Sequence, residues 1–308
     1  MSIQYTDFIH PADKAAIEQL QSIPAFSSCV KMFLKVRFEQ IQYGINLAEK
    51  IRLGPDQLPH IYNHIQKICD CFGIGVPEVY LEQNLELNAY AFGETRPSVT
   101  IQSGLVAALD EDELVAVLAH ECGHIVCHHN LYRTMADYLA SAGSGFLGPL
   151  ASLATAPVQI ALQYWIRRSE LSADRAAAVF LRGPDAVVKT MIRLAGGPKA
   201  ITEKVDVDVY LKQADDYDKL QEATWDKLLQ TCAISKSDHP FLAVRAREIL
   251  KWCQTDQFRR LVQALEENEL SPKCPVCGRT LHGHWKFCSS CGAPNPNLNE
   301  QKQPTIAI

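Results

Sequence analysis

The chain has little that would hold it to nucleic acid or send it into a secretory pathway. Its 30 Lys and Arg face 35 Asp and Glu, a formal net charge of −5, and no long basic run occurs. A phosphate backbone is held by clustered cations, so nucleic acid is not expected as a partner. The first 30 residues contain no basic stretch followed by an apolar one, and no secretory signal is expected. The 11 cysteines then read as reduced thiols or metal ligands rather than a disulfide framework. A cytoplasmic setting follows as the expectation. Charged residues are 21% and hydrophobic ones 47% of 308 residues, the proportions of a globular chain with a sizeable core.

Long apolar runs are scarce as well. The segment 31–53 holds Lys31, Lys35, Arg37, Glu39, Glu49, Lys50 and Arg52, too many charges to cross a bilayer. Only 138–166 lacks charge throughout, and its length suffices for a span of about 20 residues. Two readings stay open for it. Scattered Ser, Gly, Thr and Gln, with Pro149 and Pro157 dividing it in two, favour a buried helical hairpin or flap. The absence of charge favours membrane contact.

Apolar periodicity predicts helix over 12–53, stopped by "GPD", and over 57–72, closed by "GIGVP". Short strands are expected at 78–82 and 99–102, with an extended piece or hairpin between them at 87–97. A helix at 111–129 has the clearest start. Asp110 is its N-cap and Glu113, three residues on, completes a capping box. Further helices are expected at 167–181, 183–197, 206–231 and 237–253, the last after a turn at His239–Pro240.

The 111–129 helix carries His120, Glu121 and His124 in its apolar middle. Positions four apart share one helix face, so both imidazoles point the same way. Two imidazoles at that spacing can hold one zinc ion, and Glu121 then reaches an attacking water as general base. The bland alternative is a core helix that carries this pattern by chance.

A catalytic zinc usually keeps three protein ligands. One scheme needs a histidine six residues after the second, with an intervening glycine. Asn130 and Cys127 occupy those positions, so it fails. His128 is one more turn along, too far to share the ion, and reads as a surface histidine or a support. The other scheme takes a glutamate from a downstream helix. "SELSADRAA" supplies Glu170, with Asp174 one turn later to accept from the second ring nitrogen of a ligand histidine. The alanines around them argue for a buried helix, where carboxylates need partners.

In this order, "NAYAFG", "LDEDELVAVLAHECGHI", "SELSADRAA" and "DHPFLAVRAREI" resemble the HtpX-like zinc metallopeptidases, a family that includes the CAAX prenyl endopeptidases. The likeness covers about 57–250. It implies an α+β, mostly helical, zincin-like fold and endopeptidase activity on peptide or protein substrates, with a role in protein quality control. It implies His120, His124 and Glu170 as zinc ligands, Glu121 as base and Asp174 as the residue orienting a ligand histidine. It further implies that His239 stabilises a tetrahedral oxyanion, that Arg245 is a structural or active-site arginine, and that Asn88, Ala89, Tyr90 and Ala91 form an edge strand to which substrate adds. Transmembrane helices ahead of the metal-binding helix, frequent in that family, are missing from the pattern here.

Cys274, Cys277, Cys288 and Cys291 form two Cys-x-x-Cys pairs, each followed by glycine. Four thiolates suit a closed tetrahedral site that would drive the folding of so small a module. A structural Zn2+ is expected there, with iron as the alternative metal. Trp285, Phe287, His282 and His284 decorate this zinc ribbon and offer a surface to a protein partner. The other seven cysteines read as small buried apolar residues. The expected organisation is thus an N-terminal helical region (1–56), the metallopeptidase domain (57–253), a charged helical connector (254–272), the ribbon (273–293) and a disordered tail (294–308). Against a peptidase with one catalytic and one structural zinc stand two rivals: a catalytically silent scaffold that recruits partners through the ribbon, and a membrane-associated processing protease anchored through 138–166.

Overall fold

The computed structural model describes residues 3–24, 26–34, 37–141, 148–220, 241–270, 273–276, 278, 281, 286–288 and 291–296, with backbone alone for 32, 34, 138–141, 148–156, 220 and 268–270. The expected helix at 12–53 is divided into α1 (Pro11–Gln21), α2 (Phe26–Leu34) and α3 (Phe38–Glu49), followed by a short strand β1 (Ile51–Leu53). Arg37, at φ 53°, turns the chain into α3. β1 departs from the helical expectation because its residues pair antiparallel with β2 (Glu78–Glu82). Non-local pairing overrides a local pattern.

α4 (Pro59–Phe72) begins with proline and ends at Gly73 in the left-handed region, the usual asymmetry of helix ends. β3 (Ala89–Phe92) and β4 (Ser98–Gln102) complete a sheet of order β1-β2-β4-β3. β2 and β4 are parallel, and β3 runs antiparallel to β4 with Ala89 opposite Ile101 and Ala91 opposite Val99. The expected extended piece is therefore the edge strand β3.

After α5 (Ser103–Ala108), α6 (Glu111–Val126) is the central helix, buried on almost every side. Its capping box is present: Asp110 Oδ1 accepts from the Glu113 N–H at 3.1 Å, and Glu113 Oε2 accepts from the Asp110 N–H at 3.0 Å. Glu113 also pairs with buried Arg193 at 2.8 Å. That arginine belongs to α9 (Asp185–Gly196), which packs on α6.

α7 (Asn130–Ser141) leads to α8 (Gly148–Leu181), one helix where a break at Pro157 was expected. The reason lies in its packing. Val158, Leu162 and Trp165 join a cluster with Ala16 and Leu20 of α1 and Met135 of α7. Ala176, Ala177 and Val179, further along the same helix, belong to the main core. Two cores hold one helix, enough to outweigh the ~3 kcal/mol that proline costs a helix interior. α10 (Lys199–Thr202), α11 (Val207–Leu220), α12 (Leu242–Cys253) and α13 (Asp256–Leu270) follow. Residues 221–240, and with them the turn at His239, lie outside the described residues. The fold is thus α+β and mostly helical. Among the described residues no helix is long and apolar enough to cross a membrane.

Candidate active site

α6 and α8 meet at a point where neither carries bulk. Gly123 faces Ala173 and Ala176 so closely that an added Cβ would stand 2.8 Å from the Ala176 Cβ. This approach brings His120 and His124 of α6 against Glu170 of α8. His120 Nε2 lies 3.3 Å from Glu170 Oε2, and His124 Nε2 lies 3.3 Å from Glu170 Oε1. The three groups are buried and form a set that could hold a metal ion, their ligand atoms within 4.8 Å of one another. Tetrahedral zinc with bonds of about 2.0–2.2 Å separates its ligand atoms by roughly 3.3–3.6 Å. The donor set and its spacing therefore fit zinc.

The surroundings fix each of these groups. Asp174, one turn after Glu170, places Oδ1 2.9 Å from His120 Nδ1, leaving Nε2 toward Glu170. Burial opposes charge on His120, but Asp174 and Glu170 outweigh it and raise the imidazole to about 9. For His124 burial dominates and Arg133 adds to it, so the imidazole is held well below its ordinary value. Burial alone would raise the Asp174 carboxyl, yet Arg245 and His120 beside it bring it below the usual carboxylate range.

Arg245, from α12, spans both carboxylates of α8. Its Nε and Nη2 donate to Asp174 at 2.8 and 2.6 Å, and its Nη1 lies 2.9 Å from Glu170 Oε2. Arg133 of α7 donates to Glu170 Oε1 at 2.5 Å. A carboxylate offers about four lone-pair directions, so the Arg133 hydrogen bond and the Arg245 ion pair leave room for a cation. Formally Glu121, Glu170 and Asp174 carry three negative charges against the guanidiniums of Arg133 and Arg245, and the raised His120 imidazole balances the third.

Glu121 is buried and shares a pocket with His120, Asp174 and Arg245. The pocket's other walls are mostly apolar, among them Leu87, Val117, Val187, Met191 and Leu194. Asn88 and Ala89, at the start of β3, are also among its lining residues. Tyr90 points elsewhere: its hydroxyl accepts from Lys50 Nζ at 2.7 Å, while Ala91 packs against the core. β3 has β4 as its one partner strand among the described residues.

His128 is exposed, with Nδ1 3.0 Å from Glu94, and takes no part in the triad. His239 cannot be placed, because it lies outside the described residues. In the C-terminal module Cys274, Cys288 and Cys291 form a second potential metal set, with Cys274 and Cys291 sulfurs 3.6 Å apart. The Gly278 N–H donates to the Cys274 carbonyl at 2.8 Å and the Gly292 N–H to that of Cys288 at 2.9 Å, both glycines left-handed. Two matching knuckles result. Cys277, His282, His284 and Trp285 lie outside the described residues, and Phe287 is exposed.

Sequence reasoning missed three site residues. Arg133 reaches Glu170 from α7, and His129 and Asp13 line up behind His124. Arg133 and Asp13 have partners distant in the chain, and His129 reaches His124 from five residues on only because the chain turns back at His128.

The family model of peptidase family M48 matches residues 56–253. The plastoglobule-localized metallopeptidase 48 of Arabidopsis thaliana is 30% identical over 259 residues, 83% of this chain and 75% of the relative. A protease HtpX homolog of Nostoc punctiforme is 25% identical over 205 residues, covering 57% of this chain and 69% of the relative. Another, from Trichormus variabilis, is 28% identical over 191 residues, 53% of this chain and 65% of the relative. No solved structure matches the chain.

Proposed function

The chain belongs to peptidase family M48 and is a metallopeptidase, and we propose that it is a zinc endopeptidase that hydrolyses polypeptides with Glu121 as general base. The observation that carries this reading is the meeting of His120, His124 and Glu170 at ligand spacing next to buried Glu121. When bound, zinc supplies a Lewis acid that polarises the scissile carbonyl and makes a water acidic near neutral pH.

The remaining roles fall to the chain's own residues. A substrate segment adds alongside β3 as a further strand, along the main chain of Asn88, Ala89, Tyr90 and Ala91. The apolar pocket walled by Val117, Val187, Met191 and Leu194 receives one substrate side chain. Glu121 takes the proton of the attacking water and passes it to the leaving amine. Asp174 holds the His120 ring, and Arg245 holds both Asp174 and Glu170. His239, by resemblance, donates to the oxyanion. The substrates proposed are unfolded or damaged polypeptides, as protein quality control would supply.

The second metal is proposed as a structural zinc on Cys274, Cys277, Cys288 and Cys291, supported by the two knuckles. A protein partner through the ribbon and contact of 138–166 with a membrane surface are proposed as well. A cytoplasmic compartment stays proposed, on the cysteine content. The domain limits stated above remain the proposed organisation.

The test is metal content per chain for wild type, His120→Ala, Glu121→Gln and Cys274→Ser, with casein cleavage assayed for each. The expected pattern is two zinc ions in wild type and Glu121→Gln, one in each of the other two, and cleavage lost in His120→Ala and Glu121→Gln. Two zinc ions in His120→Ala would overturn the metal reading, and wild-type cleavage by Glu121→Gln would overturn the base.

A further inference from the structure

His120 has a carboxylate directly behind it, and His124 does not. Behind His124 stands a second imidazole, brought there by the way α6 ends. His128 adopts φ 57° and stops the helix. The His128 N–H donates to the Ile125 carbonyl at 3.1 Å and the His129 N–H to that of His124 at 2.9 Å, the paired bonds of a Schellman turn. The turn folds His129 back under the helix, with its Nδ1 2.9 Å from His124 Nδ1. His129 Nε2 in turn lies 3.0 Å from Asp13 Oδ2. Both His129 and Asp13 are buried, at 2% and 1% exposure. Asp13 belongs to α1, outside the residues matched by the family model.

The direction of each bond can be worked out. Asp13 accepts from Trp165 Nε1 at 2.8 Å on Oδ1 and from Ser172 Oγ at 2.6 Å on Oδ2. The Ser172 oxygen itself accepts from the His10 N–H at 3.0 Å, so its one proton goes to Asp13. An ionised carboxylate only accepts, and His129 Nε2 is therefore the donor. A neutral His129 that donates from Nε2 accepts at Nδ1. His124 then donates from Nδ1 and turns its Nε2 lone pair toward Glu170.

We propose that Asp13 and His129 are positioning residues that set the tautomer of His124, so that its Nε2 is free to bind the metal. The proposal rests on the reading of His124 as a ligand. Both ligand histidines then have a carboxylate at their back, one touching and one acting through an imidazole. The second comes from a helix whose sequence shows no sign of a metal site.

Asp13→Asn tests the direction rather than the packing. Trp165 N–H can only donate, so it holds the amide oxygen of the new side chain. The amide NH2 then faces His129 Nε2, which must accept, and the His129 proton moves to Nδ1. There it opposes the His124 Nδ1 proton that metal binding requires. Replacing Trp165 by Phe as well lets the amide turn its oxygen to His129.

The measurement is the zinc dissociation constant of the full chain by chelator competition, for wild type, His124→Ala, Asp13→Asn and Asp13→Asn/Trp165→Phe. Asp13→Asn should weaken zinc by about 10–100-fold, and the double variant should bind tighter than the single one. Damage to packing alone would make the double variant worse, and that result overturns the proposal. Unchanged affinity in Asp13→Asn beside a loss in His124→Ala overturns the relay alone. Unchanged affinity in His124→Ala overturns the ligand reading and the relay with it. Should Asp13→Asn fail to fold, nitrogen NMR of zinc-loaded wild type decides: His129 protonated at Nε2 and His124 at Nδ1 is the expected result, and a proton on His129 Nδ1 refutes it.

Discussion

Gly123 and Ala176 stand where two helices come closer than a pair of side chains allows, with 2.8 Å between the Ala176 Cβ and any Cβ placed on the glycine. Glycine inside a helix costs about 1 kcal/mol relative to alanine, so a mid-helix Gly123 has its reason in this contact. Gly123→Ala should lower stability by about 1–3 kcal/mol through overpacking, despite the gain in helix propensity. It should also move Glu170 away from His120 and His124. Urea unfolding and zinc content of the same preparation check both effects, and a variant as stable as wild type with full zinc would show that the helices separate freely.

Arg245 is the buried cation that two carboxylates share. Arg245→Met should cost about 3–5 kcal/mol, because Asp174 and Glu170 are left buried with less compensation. Arg245→Lys should recover only part of this, since a point ammonium does not bridge both carboxylates as the planar guanidinium does. Unfolding of the three proteins in the presence of chelator measures the difference without metal.

His10 makes stability depend on pH. Its Nδ1 accepts from the Ala12 N–H at 3.0 Å and caps α1, a bond lost on protonation. Burial, with Arg175 next in effect, lowers its pKa from 6.5 to about 4. Between those values the unfolded chain binds more protons than the folded one, so stability falls as pH falls. The contribution is complete above pH 6.5 and gone below about 4. It amounts to roughly 1–2 kcal/mol after discounting for partial exposure. His10→Asn keeps a cap and removes the titration. The stability difference from wild type should then be flat above pH 7 and change across that window, and a difference flat throughout would refute the assignment.

The pocket beside Glu121 predicts a preference. With Leu87, Val117, Val187, Met191 and Leu194 as walls, it should accept leucine or phenylalanine from the substrate and reject glutamate. Narrowing it with Met191→Trp should lower kcat/KM about 10–100-fold for peptides bearing the large side chain, and less for alanine. A peptide-library cleavage profile of both proteins reads this directly. Equal loss on every peptide would place Met191 in the fold rather than in specificity.

Much of this site is written locally. The start of α6 follows from Asp110 and Glu113, and His120, Glu121 and His124 follow from a spacing that a helix converts into one face. Glu170 and Asp174 were legible because alanines around them signal burial, and burial makes carboxylates seek partners. The residues that escaped have partners far off. Asp13 meets His129 across 116 residues, and Arg133 meets Glu170 across 37. β1 was hidden for a like reason, since a three-residue strand exists only through its neighbour. Pro157 misled because its local penalty is set against packing in two cores, which no window of sequence contains.

The seat of Asp13 also bears on timing. Its partners Trp165 and Ser172 lie 152 and 159 residues further along the chain, and the arginine that holds Glu170 and Asp174 comes only at 245. A nascent chain presents α1 long before any of them has been synthesised. Contacts of such range close late in folding. The growing polypeptide therefore lacks a complete set of candidate metal ligands until Glu170 has been made, and carries that set without its supporting guanidinium until Arg245 follows.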